Sequence, residues 1–480
     1  MLPPRQQHSD LRRPAYRPLH STDPTMVWPA QPGPEAIQKL AMLQQLELSQ
    51  WWSPEELLSQ QLRQAAALLD HAHRQLPFYR DQLSEAGFVR GQALTPEIWG
   101  RIPTLSRAGL QTAGAELYAP ELPPGHGKVY ELSTSGSTGR PVKARTSDIV
   151  QFVWDVMTLR EHLWHRRDFS SKLAAIRSYR NGWADFPEGA QSTCWNRSIA
   201  ELFGEGPAVA LHIGARTEEQ AEWLQRHQPN YLLIYPSALR ELLVYCRDRG
   251  LRFPNLRQVR TLSELLSPDI RQLCCEVWGV EIADLYSTQE TGYLAIQCPE
   301  EGAYHVQSEA AILEVLDDDG APCAAGQVGN VIVTPLHNFA MPMLRYAVGD
   351  LAEVGEACPC GRGLPVLKRI LGRARDMLVY PGGRKTWALL GSSQFTKIPA
   401  VRQFQIVQHA VDDLEIKLVS DRALTPEEEA QLRRWMQDRC GHDFPIRFTY
   451  HDHIPRSASG KYQDFLCNIP DAAAGASQSQ

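Results

Sequence analysis

The stretch Val129-Tyr-Glu-Leu-Ser-Thr-Ser-Gly-Ser-Thr-Gly-Arg-Pro-Val-Lys143 concentrates more chemistry than any other part of the chain. A strand-like start runs into seven consecutive Ser, Thr and Gly residues, from Ser133 to Gly139. Such a loop offers backbone N–H groups without Cβ obstruction, its hydroxyls add donors, and Arg140 and Lys143 add positive charge, which together are what phosphate oxygens require. Gly136 and Gly139 stand too close for the Gly-x-x-x-x-Gly-Lys-Ser/Thr spacing of the common nucleotide loop. A flexible surface linker has the same composition, so the rest of the chain must decide between the two.

Outward from this loop the pattern is α/β. Ser53-Pro54-Glu55-Glu56 is a helix start with a capping serine, proline at the first helical position and glutamate three residues on, followed by Leu58, Leu62, Ala65 and Leu69 at helical spacing. Thr425-Pro426-Glu427-Glu428 repeats the signal, and that helix should stop at Gly441. Tyr231–Ile234, Ala311–Leu316 and Asn330–Thr334 are short, β-branched and bounded by turn residues, as strands alternating with helices are. Segments 404–409 and 414–419 predict a hairpin, so residues after about 376 read as a small separate αβ domain. Residues 1–35, rich in proline, and 471–480, small and polar, are expected to be disordered tails.

Composition excludes several classes. The chain has 480 residues, with Lys+Arg 49 against Asp+Glu 55 and a net charge of -6, so no basic surface speaks for nucleic acid. No apolar run approaches a membrane span, and the N-terminus carries no signal-peptide pattern, which predicts a cytoplasmic protein with no membrane partner. Ten cysteines are too few for a disulfide scaffold of this length, so a cluster of them reads first as metal or catalysis. Cys358-Pro-Cys-Gly-Arg362 lets two thiolates point at one ion, and Cys298 and His305 flank the turn-forming Pro299-Glu-Glu-Gly302. Three sulfurs and one nitrogen suit tetrahedral Zn²⁺, and four ligands with no open position predict a structural ion. Buried unligated thiols are the other reading.

Four segments in a fixed order decide the matter of the loop. Ser133-Thr-Ser-Gly-Ser-Thr-Gly-Arg-Pro141 is followed by Asp284-Leu-Tyr-Ser-Thr-Gln-Glu290, by Tyr346-Ala-Val-Gly-Asp350 with Gly372-Arg-Ala-Arg-Asp376, and by Pro455-Arg-Ser-Ala-Ser-Gly-Lys461. The set resembles the adenylate-forming superfamily of acyl-CoA synthetases, adenylation domains and luciferases. Met341-Pro-Met-Leu-Arg-Tyr346, the Cys-x-Cys-Gly-Arg segment and Ile370-Leu-Gly-Arg373 are similar to its phenylacetate-CoA ligase-like branch, and the resemblance covers roughly residues 55–465.

That resemblance implies a large multi-subdomain N-terminal adenylation domain (36–372), a hinge (373–376) and a small, mobile C-terminal αβ domain (377–470). It implies ATP contacts from Ser135, Gly136, Ser137, Thr138, Gly139 and Lys143. Further contacts are implied from Ser263, Glu264, Tyr286 as the adenine-stacking ring, Ser287, Asp350 on the ribose hydroxyls, and Arg373. Glu290 would hold Mg²⁺ on the phosphates, Tyr235, Pro236 and Ser237 would line the acid pocket, and Arg375 would sit at the hinge. Lys461 would be the catalytic lysine, because activating a carboxylate sets two anionic groups side by side and an ammonium can neutralise both. The implied reaction is ATP-dependent activation of an aromatic or apolar carboxylic acid to an acyl-adenylate, then transfer to a thiol, coenzyme A first and a carrier-protein thiol or an amine second. Gln289, Ala347 and Val348 depart from the family pattern, which keeps a zinc-stabilised, non-catalytic binding protein open as the rival. A homodimer is also left open.

Overall fold

The structure, a computed structural model, describes residues 19–133, 142–387, 393–457 and 459–469, without the side chains of Arg375 and Trp387. The glycine-rich segment joins β1 (Val129–Ser133) to β2 (Lys143–Ser147), an antiparallel pair in which Ser133 faces Lys143. Residues 134–141, and with them Ser135, Gly136, Ser137, Thr138 and Gly139, lie outside the described residues.

A twelve-stranded sheet forms the body. Its first half holds β3 (Leu173–Arg177), β4 (Ala190–Ser192), β5 (Ala208–His212), β6 (Tyr231–Ile234), β7 (Gln258–Thr261) and β8 (Glu281–Thr288). Strands β5, β3, β6, β7 and β8 run parallel in that spatial order. Helices Thr217–His227, Pro236–Arg249 and Pro268–Trp278 cover one face, where Ile176, Leu211, Ile234 and Val259 are buried with Leu239 and Leu243. This is why Tyr231–Ile234 reads as a continuous apolar run: both faces of a parallel strand are covered. The antiparallel half adds β9 (Gly292–Gln297), β10 (Tyr304–Val306), β11 (Ala311–Leu316), β12 (Val328–Pro335), β13 (Tyr346–Val354) and β14 (Val366–Arg373).

Beyond β14 a short hairpin, β15 (Met377–Val379) and β16 (Lys385–Trp387), leads into a second sheet of β17 (Val401–Ala410), β18 (Asp413–Ser420), β19 (Ile446–Tyr450) and β20 (Phe465–Cys467) in the order β19-β18-β17-β20. Helix Pro426–Cys440 packs on it with its own core of Leu432, Met436, Ile406 and Leu418. Both capping boxes read from the sequence form, at Ser53 and at Thr425.

The tail expected over 1–35 does not extend through its second half. His20 N–H donates to Leu202 O at 2.7 Å, Leu19 packs beside Leu202, and the first helix begins at Pro34. A few apolar anchors suffice to order a proline-rich segment whose stiff backbone has little entropy to lose. Residues 1–18 and 470–480 lie outside the described residues.

On the other face of the parallel strands lies a buried ionic cluster under helix Asp148–Trp164. Glu161 pairs with Arg167 at 2.5 Å and with Arg260 at 2.6 Å, at 1% exposure of its own side chain. Burial raises the Glu161 pKa, but the two guanidiniums outweigh it and the carboxyl is held well down. Burial and then Arg167 push neighbouring His165 from 6.5 to about 4. Between those values the unfolded chain binds a proton that the folded chain refuses, so stability falls as pH drops from about 6.5 towards 4. At pH 5 the loss from His165 alone should reach about 2 kcal/mol. Thermal melting at pH 7 and pH 5 should show a lower midpoint at pH 5, and His165→Gln should flatten that dependence; an unchanged slope would exclude His165 as its source.

Candidate active site

The strand order reverses at β3, which lies between β5 and β6, and the carboxyl ends beside such a reversal are where open α/β sheets form a crevice for ligands. Ser178, just past β3, donates its backbone N–H to the Tyr235 hydroxyl at 3.3 Å. Against this pair sits Gly460 from the C-terminal domain, with φ +77. A Cβ there would come within 3.0 Å of both Ser178 Cβ and Ile213 Cγ2 and 3.3 Å of Tyr235, so only glycine lets the loop approach this closely. The next residue is Lys461.

Tyr286, buried near the end of β8, donates its hydroxyl to Asp350 Oδ2 at 2.7 Å across 64 residues of sequence. Bulges between Tyr286 and Ser287 and between Leu351 and Ala352 turn the two strand ends towards each other. Asp350 pairs in register with Arg373, whose Nε lies 3.9 Å from Oδ1. Burial raises the Asp350 pKa, with Arg373 and the Tyr286 hydrogen bond opposing it. Glu290, in the turn after β8, lies 3.9 Å from Arg107.

Lys461 enters this group half-buried. Burial first and Arg373 second lower its pKa, while Glu290, Glu264 and Asp350 pull it back up. Four sequence-read residues from three separate motifs therefore bear on one ammonium. Ser287 stands beside Tyr286 at the end of β8, and Ser263 is exposed with φ 70 in the turn after β7. Lys143 is exposed at the start of β2.

Glu264, read from the sequence as a nucleotide contact, also meets the C-terminal domain. One oxygen accepts the Ser237 N–H at 2.9 Å and the other the Tyr462 N–H at 2.6 Å, with Arg456 at 3.7 Å. Its carboxylate is thereby committed to joining the two domains. Arg456 also donates to Ser237 Oγ at 2.6 Å and to Glu241 at 3.0 Å, and Arg240 pairs with Asp464 at 2.5 Å. Pro236 and Ser237 open the helix that carries this docking face. Arg375 falls in the short 3-10 turn Ala374–Asp376 between the domains.

Arg107, Arg456 and the Arg240–Asp464 pair escaped sequence reading. Arg456 lies inside Pro455–Lys461, where its charge beside the lysine was a usable signal. Arg107 and Arg240 are single basic residues on helices that no local pattern distinguishes from solvated ones.

The Cys/His set does assemble. Cys298 follows β9, His305 lies in β10, and Cys358 and Cys360 lie between β13 and β14, with all four ligand atoms within 4.8 Å of one another. The Cys298 and Cys358 sulfurs are 3.8 Å apart, and Cys360 Sγ is 3.3 Å from His305 Nε2. A tetrahedral centre with bonds of about 2.3 Å separates its sulfurs by about 3.8 Å. A hydrogen bond from Cys298 and then one from His305 hold the Cys360 thiol far below its usual range, while Cys298 is pushed up.

The model of the CapK C-terminal domain matches residues 388–468. A phenylacetate-coenzyme A ligase of Thermus thermophilus is 26% identical over 86% of this chain and 96% of its own length. A phenylacetate-coenzyme A ligase of Pseudomonas putida is 23% identical over 69% and 73%. The chain is similar to the phenylacetate-CoA ligase-like branch of the adenylate-forming superfamily. These relatives support an AMP-forming acid–thiol ligase. The fold agrees: 2-hydroxyisobutyryl-CoA ligase in its postadenylation state, with R3-HIB-AMP, superposes with a TM-score of 0.68 at 18% identity, covering 88% of this chain and 91% of that one. The same ligase with 2-HIB-AMP and CoA in its thioesterification state gives 0.54.

The docking face invites a direct test. Arg240 is buried, whereas Asp464 is 43% exposed, so removing the carboxylate should weaken domain closure by about 1–2 kcal/mol. Asp464→Ala should raise the radius of gyration in solution scattering and speed proteolytic cutting near 373–376; a scattering curve identical to wild type would show that closure does not depend on this pair.

Proposed function

We propose that the chain activates a carboxylic acid with ATP and passes the acyl group to coenzyme A, and that it does so with the residues gathered around Lys461. The observation that carries this is the convergence of Lys461, Asp350, Glu290 and Arg373 at the mouth of the crevice bounded by Ser178 and Tyr235. The substrate carboxylate attacks the α-phosphorus of ATP, an O–P bond forms, and the bond to the leaving pyrophosphate breaks. Lys461 neutralises the carboxylate and the α-phosphate as they approach, a charge contact worth most in the transition state. Asp350, held by the Tyr286 hydroxyl, accepts the ribose hydroxyls, and Tyr286 stacks on adenine. Glu290 would hold the Mg²⁺ that accompanies ATP, an ion that would supply charge neutralisation on the departing phosphates. Arg107, beside Glu290, faces the same end.

The second half-reaction needs Lys461 gone, because its loop fills the approach along Ser178 and Tyr235. A turn of the C-terminal domain about residues 373–376, Arg375 among them, would break the Glu264 and Arg456 contacts and open that path to the coenzyme A thiol. The better superposition on a postadenylation state than on a thioesterification state supports reading the present arrangement as the first of the two. The thiolate then attacks the acyl carbon and AMP leaves with the bonding pair of the mixed anhydride. A carrier-protein thiol or an amine remains the alternative acceptor. Cys298, His305, Cys358 and Cys360 fit one structural Zn²⁺ that pins the β9–β10 turn to the β13–β14 loop. No helix among the described residues is long and apolar enough to cross a membrane, which accords with work in the cytoplasm.

Lys461→Ala should slow pyrophosphate exchange a hundredfold or more (about 3 kcal/mol) yet leave thioester formation from supplied acyl-adenylate much less affected. Equal loss in both would contradict the assigned role. Protein purified without added zinc should contain close to one zinc per chain, and Cys358→Ser should lower both metal content and melting temperature; stable, active protein without metal would refute the zinc site.

A further inference from the structure

Arg177, the last residue of β3, stands out beside the crevice. Along β3, Ala174 and Ile176 turn into the helix-covered core, so Leu173, Ala175 and Arg177 face the opposite side. The guanidinium carbon lies 5.6 Å from the centre of the Tyr179 ring. Arg177 Nε is buried and has no hydrogen-bond partner. Among the described residues no carboxylate pairs with it, although Arg167, Arg260, Arg240 and Arg456 each have one. A buried cationic donor left unsatisfied costs stability, and a cation that the described residues leave unanswered beside a binding crevice is suited to an anion from outside.

The surroundings say what kind. Tyr179 lies against Trp183, ring centroids 4.8 Å apart, and Trp183 is 54% exposed. Tyr235 is near enough to Tyr179 to bear on its ionisation, and Ser178 between Arg177 and Tyr179 touches the loop that delivers Lys461. Aromatic rings thus accompany two cations at this edge of the sheet, Tyr235 beside the loop that carries Lys461 and Tyr179 beside Arg177. We infer that Arg177 recognises a second carboxylate on the substrate, so that the acid activated here is a dicarboxylic acid with an aromatic or apolar body. This rests on the adenylation reading above and names its substrate class. The rigid fork of a guanidinium suits a carboxylate in two-point contact.

Matched pairs of acids test it, phenylacetate against 4-(carboxymethyl)benzoate and hexanoate against adipate, by pyrophosphate exchange and by calorimetric binding to the wild-type chain. The diacid of each pair should show the lower KM. Arg177→Gln should raise the diacid KM by about tenfold or more, as loss of a charge-assisted contact does, and should erase the preference over the monoacid. Arg177→Lys, which keeps the charge but loses the fork, should fall between. Equal or better use of the monoacids by wild type would overturn the inference. So would an Arg177→Gln effect on both members of each pair alike, which would put Arg177 on the reacting carboxylate, or an effect on the coenzyme A KM alone. Diacid binding that Arg177→Gln abolishes, without exchange on any acid, would sustain the inference and defeat the adenylation reading. Neither binding nor exchange would overturn both.

Discussion

An ammonium group withdrawn from water needs carboxylates around it, and the placement of Lys461 obeys that constraint. Its loop, through Gly460, is pressed onto the carboxyl ends of the parallel strands, where water is scarce. Glu290, Glu264 and Asp350 offset the burial and the repulsion from Arg373. Each of these acids comes from a different turn or strand end of the large sheet. The charge is therefore balanced only while the C-terminal domain is docked, which couples the chemistry of one residue to the arrangement of two domains.

Docking is itself polar. Arg456 reaches Ser237, Glu241 and Glu264, Arg240 reaches Asp464, and Gln403 reaches Glu241 at 3.0 Å, all on or beside one helix. Interfaces of this kind are strong when formed yet reversible, because each partner can be rehydrated on release. A hydrophobic seam of the same size would hold the lysine in place and resist opening. Glu264 concentrates this logic, since its two oxygens bind the backbone at Ser237 and at Tyr462, one residue past Lys461.

The cysteine knuckle serves the antiparallel half of the sheet. It fastens the turn after β9, eight residues beyond Glu290 at Cys298, to the loop that leads from Asp350 towards Arg373. Arg362 extends the brace, pairing with Glu300 at 2.9 Å and lying over the Trp51 and Trp164 rings. The stretches of β8 and β13 that carry Tyr286 and Asp350 are thus braced from behind, with a register shift beside each residue.

Local chemistry determined a good deal by itself. Capping boxes at Ser53 and Thr425, the apolar run Tyr231–Ile234, the hairpin in the C-terminal domain and the four-residue metal set are legible because each signal lies within a few residues or in unusual side chains. Motif order also named Lys461, Asp350, Tyr286 and Glu290. Tertiary structure alone decided that Tyr286 touches Asp350, that Glu264 binds the other domain, that residues 19–33 fold onto the body, and that no carboxylate among the described residues pairs with Arg177. The physical reason is common to all four: whether a charge or hydroxyl is solvated, paired or stranded depends on what long-range packing brings to it, and an arginine on a strand end reads the same in sequence whichever of these it meets.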